Sequence, residues 1–101
     1  MRMTLNEFRK KLRALEPGKE LIYHTGELAY DREDNNELNA IGAIALAVDD
    51  VGAGCVFQRK LTRGYEYIVR VFHKLGTRKD GNGSYQEVIR CAAMNVGRIK
   101  I

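Results

Sequence analysis

His24, Thr25 and Asp31 are the residues of this chain whose types and closeness suit catalysis. An imidazole beside a carboxylate can work as a general base. The set has no defined nucleophile, no third orienting group and no oxyanion site. The expectation is therefore a strand-end histidine that hydrogen-bonds Asp31 or a nearby backbone group, and no enzyme. His73 lies between Phe72 and Lys74 and has no ligand spacing to His24. Cys55 and Cys91 form no CxxC and no Cys/His cluster, so neither a metal nor another cofactor is expected. The two cysteines sit in apolar surroundings. Buried, reduced thiols are the simplest expectation, with a disulfide left open. The stretch GTRKDGNGS, from Gly76, has the glycines and bases of a phosphate cradle but not the GxxxxGK[ST] pattern. It reads as a surface loop.

The basic residues offer a different chemistry. Val56–Lys74 reads as a β-hairpin with five Lys/Arg against one acid, Glu66. Arg59, Lys60, Arg63 and Arg70 could lie along phosphates, releasing counterions and making affinity fall with salt. Tyr65 and Tyr67 could stack on bases if their strand is open. The alternative is a solvated hairpin whose bases protect a sheet edge and whose tyrosines sit in the core. Near the N-terminus, Arg9, Lys10, Lys11 and Arg13 form a second basic group. The expected nucleic-acid contacts are Arg9, Lys10, Arg13, Arg59, Lys60, Arg63 and Arg70. Spacing alone leaves open whether the two groups adjoin. A basic amphipathic helix also suits a membrane surface. Its apolar stripe holds only Leu and Phe at core spacing, so packing against a core is expected and no membrane partner.

Charge is segmented. Residues 1–19 carry net +4, residues 20–50 net −7, residues 51–74 net +4 and residues 75–101 net +3. Asp31, Arg32, Glu33, Asp34, Glu37, Asp49 and Asp50 make up an acidic patch, read as a solvated loop or, less simply, as a mimic of nucleic acid. Opposite charges pairing at the surface would account for the segmentation, though each such pair contributes little. Two functional surfaces of opposite sign is the sharper reading.

The 101 residues suit one domain, 1–101, with one modest core. Apolar residues at 45% and charged residues at 30% mark a folded chain and not a disordered tail. No apolar run reaches the about 18 residues of a spanning helix. The charged N-terminus lacks the apolar core of a secretory signal. A cytoplasmic protein is expected.

Thr4-Leu5-Asn6-Glu7 matches a capping box, followed by Leu5, Phe8, Leu12 and Leu15 at helical spacing. Glu16-Pro17-Gly18 ends that helix. Leu21–Thr25 reads as a strand, broken at Gly26. Leu28–Asp34 reads as a short helix, and Asn35-Asn36 as a turn or cap. Glu37–Asp50 is Ala-rich and apolar around most of its circumference, which marks a buried helix. The hairpin follows, turning at Thr62-Arg63-Gly64, where Gly64 can take positive φ. Its second strand has apolar residues on both faces, as a central strand would. Ser84-Tyr85-Gln86-Glu87 is a second capping-box match before a helix over about 85–95, although alternation there also allows a strand.

The fold class is α+β: helix, strand, short helix, buried helix, β-hairpin, C-terminal helix. That is a winged-helix-like order. One feature disagrees with DNA recognition of the usual kind. The helix before a wing enters the major groove and needs polar or basic side chains, yet Glu37–Asp50 has no Lys or Arg.

Tyr23, His24, Thr25, Gly26, Leu28, Ala29, Asp31 and Arg32, with Gln58, Arg59, Tyr65, Glu66 and Tyr67, form a YHTG…LA…DR start and a QR…YEY hairpin. Over residues 21–71 the chain resembles a group of short phage and prophage proteins with no assigned activity. The resemblance implies a virus-derived accessory protein acting inside a bacterium, and no catalytic residues. Together these readings lead to a non-enzymatic protein that binds DNA or RNA through its first helix and hairpin. The alternative is a protein-interaction module, such as an inhibitor of a host defence or regulatory complex, with a homodimer through the buried helix. A small virion component is a third.

Overall fold

The computed structural model describes residues 3–31, 33, 35–77 and 83–99. Thr4 caps helix α1 (Leu5–Ala14) in a reciprocal box. Its hydroxyl accepts from the Glu7 amide at 3.1 Å, and the Glu7 carboxylate accepts from the Thr4 amide at 3.3 Å. Phe8 and Leu12 point into the core. Strand β1 (Glu20–Gly26) follows the Pro17-Gly18 turn. Helix α2 (Leu28–Asp31) is a single turn, shorter than the Leu28–Asp34 expected; residues 32 and 34 lie outside the described residues. Asn35 caps helix α3 (Asn36–Asp50), its side chain accepting from the Leu38 amide at 3.0 Å.

Strands β2 (Gly54–Lys60) and β3 (Tyr65–Val71) form the hairpin. Gly64 takes φ +75° in its turn, where the Leu61 amide donates to the Gly64 carbonyl at 3.0 Å. A 3₁₀ turn over Leu75–Thr77 leads toward helix α4 (Tyr85–Ile99), so the C-terminal segment is helix and not strand. Its cap is a shifted box. Ser84 accepts from the Glu87 amide at 3.2 Å, while the Glu87 carboxylate reaches back one residue further than usual, to the Gly83 amide at 2.8 Å.

The sheet is antiparallel in the order β1-β3-β2, so β3 is central, as its two-sided apolar pattern predicts. The elements follow the expected winged-helix-like order. Leu21, Tyr23, Tyr67, Val69, Val71 and Val56 turn to the face that packs with α1, α3 and α4. The pairing of β1 with β3 shifts between Ile22 and His24. This bulge brings both Tyr23 and His24 onto that face, where their rings lie 6.3 and 5.9 Å from the Tyr67 ring.

Helix α3 is buried along most of its length, between the sheet and α4. Its small residues Ala43 and Ala47 are buried against the neighbouring elements. Its remaining face presents Leu46, which is 41% exposed. Cys55 and Cys91 are not disulfide-bonded, and both are half-buried, where burial was expected. No helix among the described residues is long and apolar enough to cross a membrane.

Candidate nucleic-acid interface

The seven expected contact residues fall into separate groups, distinguished by what holds each guanidinium. Arg59 and Arg70 project from the face of the sheet that no helix covers. Glu20 bridges them, 3.0 Å from Arg59 Nη2 and 2.8 Å from Arg70 Nη2. Arg59 also meets Glu66 at 3.3 Å, and the Arg70 guanidinium lies 5.3 Å from the centre of the Phe57 ring. Hydrogen bonds from Arg70 and then Arg59 hold the Glu20 carboxyl below its ordinary pKa. The bond to Glu20, and then its charge, push the Arg59 guanidinium up. Two bases and two acids thus neutralise each other on this face.

Arg9 and Arg13 are held without being neutralised. Arg9 Nε donates to the Tyr85 hydroxyl at 2.8 Å, and the Arg13 guanidinium lies 5.2 Å from the centre of the same ring. Positions i and i+4 share one face of α1, so a single buried phenol at the start of α4 anchors both. Among the described residues neither has a carboxylate partner, and Lys10 beside them is exposed with none. Sequence reading placed Tyr85 only in a capping stretch. Its partners lie over 70 residues away in the chain, and no local spacing signals the contact.

Lys60 and Arg63 sit at the hairpin tip, exposed and, among the described residues, without ion pairs. The tip and the α1 cluster do not adjoin. Arg13 lies against Gly76, beyond the C-terminal end of β3: a Cβ added at Gly76 would stand 2.6 Å from the Arg13 carbonyl oxygen. The tip adjoins Tyr65, at the other end of that strand, about 20 Å away at a strand's rise per residue. Tyr65 and Tyr67 alternate onto the helix-covered face, and the Tyr67 hydroxyl accepts from the Leu28 amide at 3.1 Å. They are placed to pack, not to present open rings on the uncovered face.

The remaining candidates have structural duties. His24 Nε2 lies 2.7 Å from Asp31 Oδ2, which also accepts from the Glu27 amide at 3.1 Å, fastening α2 to β1. A groove of about 510 Å³ runs beside this pair, lined also by Thr25, Asn35 and Glu37. His73 donates to the Gly83 carbonyl at 2.7 Å. In the acidic patch, Glu37 accepts from the Leu5 amide at 3.0 Å and Asp49 from the Val56 amide at 3.2 Å. Arg32 and Asp34 of that patch, and residues 78–82 of the glycine-rich loop, lie outside the described residues. Among the described residues no three His, Cys, Asp or Glu side chains are grouped to hold a metal ion. No protein-family model, curated protein or solved structure matches the chain.

Proposed function

We propose that this chain is a non-enzymatic accessory protein that binds nucleic acid, with the exposed face of α1 as its main contact and the hairpin tip as an outlying one. One observation carries the reading: Tyr85 orients Arg9 and Arg13 while leaving their charge unneutralised. Phosphate oxygens accept well from such guanidiniums, and contacts to the backbone need no base-specific readout. The resemblance to short phage proteins supports a role inside a bacterial host. The hairpin contribution moves from Arg59 and Arg70, which Glu20 and Glu66 neutralise, to Lys60 and Arg63.

The test is binding to labelled duplex DNA, single-stranded DNA and RNA over a salt series. In R9A/R13A, affinity is expected to fall at least about tenfold near physiological salt, with the log–log salt slope reduced by about 2. R59A/R70A is expected to bind within about twofold of wild type. Y85F keeps the ring under Arg13 and loses the bond to Arg9, so its loss should lie between those of R59A/R70A and R9A/R13A. Absence of binding by the wild-type protein, or equal loss in both arginine variants, would sink the proposal.

A further inference from the structure

On the uncovered face of the sheet the register sets three rows of side chains across β1, β3 and β2. Glu20, Arg70 and Cys55 form the first row; Ile22, Ile68 and Phe57 the second; Thr25, Glu66 and Arg59 the third. Phe72, the next outward position past Arg70, is 59% exposed, and Ile22 is 39% exposed. Ile68 is 0% exposed, yet it does not belong to the main core cluster. The register explains why. The Glu20–Arg59 bridge runs from the first row on one edge strand to the third row on the other, and so passes over Ile68 at the centre. Ile22 and Phe57 flank it.

We infer that this face is where two copies of the chain associate, related by a two-fold axis lying along the Ile22–Ile68–Phe57 row. The charges choose both the occupant and the axis. The face is neutral, with Glu20 and Glu66 set against Arg59 and Arg70, so a second copy is not repelled, whereas a polyanion meets two carboxylates. Rotation about the apolar row sets the first row of each copy against the third row of the other. Arg70 of each copy then faces Glu66 of its mate, while Glu20 and Arg59 remain paired within each chain. Rotation about the strand direction would instead set Arg70 against Arg70 and is disfavoured. The chosen axis sets Ile22 against Ile22 and Phe57 against Phe57 on either side of Ile68, which the Glu20–Arg59 bridge covers, the isologous arrangement of a symmetric dimer. Two sheets packed this way stand about 10 Å apart.

Three strands over the length from Phe72 to Tyr65 cover about 350 Å² per copy at standard strand spacing and rise. That is under half of the ~800 Å² per partner of a stable specific interface, so the dimer is weak and forms at high protein concentration. It leaves α1 and Tyr85 open on the other side of the sheet, and it does not rest on the nucleic-acid reading.

Sedimentation equilibrium from about 10 µM to about 1 mM tests the inference, a range that reaches the high concentrations a weak interface needs. Wild type is expected to pass from monomer to dimer over this range. R70E alone and E66R alone should each stay monomeric, since each homodimer would set like charges together. An equimolar mixture of R70E and E66R should dimerise at least as well as wild type, because both cross-copy contacts then join opposite charges. A purely structural effect of either substitution would not be repaired by mixing. If either variant fails to fold by circular dichroism, I22K on the exposed rim replaces the pair, and loss of the dimer is expected. A wild type that stays monomeric at 1 mM, a mixture that associates no better than its components, or a dimer unchanged in I22K would each overturn the inference.

Discussion

The arginines on the two sides of this sheet differ in their partners, and pH separates them. Arg59 and Arg70 share the Glu20 carboxylate, which their hydrogen bonds hold below its ordinary pKa. A carboxyl depressed in the folded state stabilises that state above its unfolded pKa, about 4.3 for glutamate. The contribution disappears as pH falls through the lower, folded value. Glu20→Gln is therefore expected to lower the urea midpoint at pH 7, and to show a smaller deficit in acid, at a pH below the unfolded value of about 4.3. Urea unfolding at the two pH values, at low micromolar protein, checks it. An equal deficit at both would mean that the ion pairs contribute nothing beyond packing. The Arg9–Tyr85–Arg13 contact has no carboxylate to titrate, so its geometry should persist through the same range.

At the scale of elements, close approach is concentrated at Gly54, where β2 leaves the Val51–Ala53 turn. A Cβ there would overlap the Arg70 carbonyl on β3 and stand 2.8 Å from Val48 Cγ1 on α3. Neither neighbour is the loose end of a long side chain. Gly54→Ala must push β2 off β3 or off the helix, and overpacking of this kind costs about 1–3 kcal/mol. Thermal and urea unfolding of G54A should show a loss in that range, and a neutral result would mean that the β2–α3 junction yields freely. The sequence gives no warning at this position beyond a glycine pair. It is more informative where a signal is local. The Thr4–Glu7 box, the Asn35 cap, the apolar circumference of α3 and the two-faced pattern of β3 each rest on neighbours within a few residues, and each appears as expected. The bulge at Tyr23 depends on how β1 meets β3. The Tyr85 anchor depends on how α1 meets α4. Neither can be read from spacing along one segment.

Across the whole molecule, charge segmented along the chain becomes charge sorted by place. The acidic middle segment supplies Glu20 to the sheet face, Asp31 to the β1–α2 junction, and Glu37 and Asp49 to backbone amides of other elements. What remains without ion pairs among the described expected contacts is Arg9, Lys10 and Arg13 on α1, and Lys60 and Arg63 at the tip. The length of β3 separates these two groups by about 20 Å. A duplex advances 3.4 Å per base pair, so one nucleic acid must offer about six pairs to touch both. DNA stem-loops with stems of about 5 and about 12 base pairs should therefore respond differently to two variants. R9A/R13A should weaken binding to both stems, because the α1 cluster is the main contact. K60A/R63A should weaken only the longer stem and reduce its log–log salt slope by about 2, one for each lost phosphate contact. Fluorescence anisotropy over a salt series reads both quantities. Equal loss on the two stems would place the tip and the helix on the same short stretch of backbone, contrary to the separation that β3 imposes. No loss on either would leave α1 as the whole contact, with Lys60 and Arg63 serving only to keep the hairpin solvated.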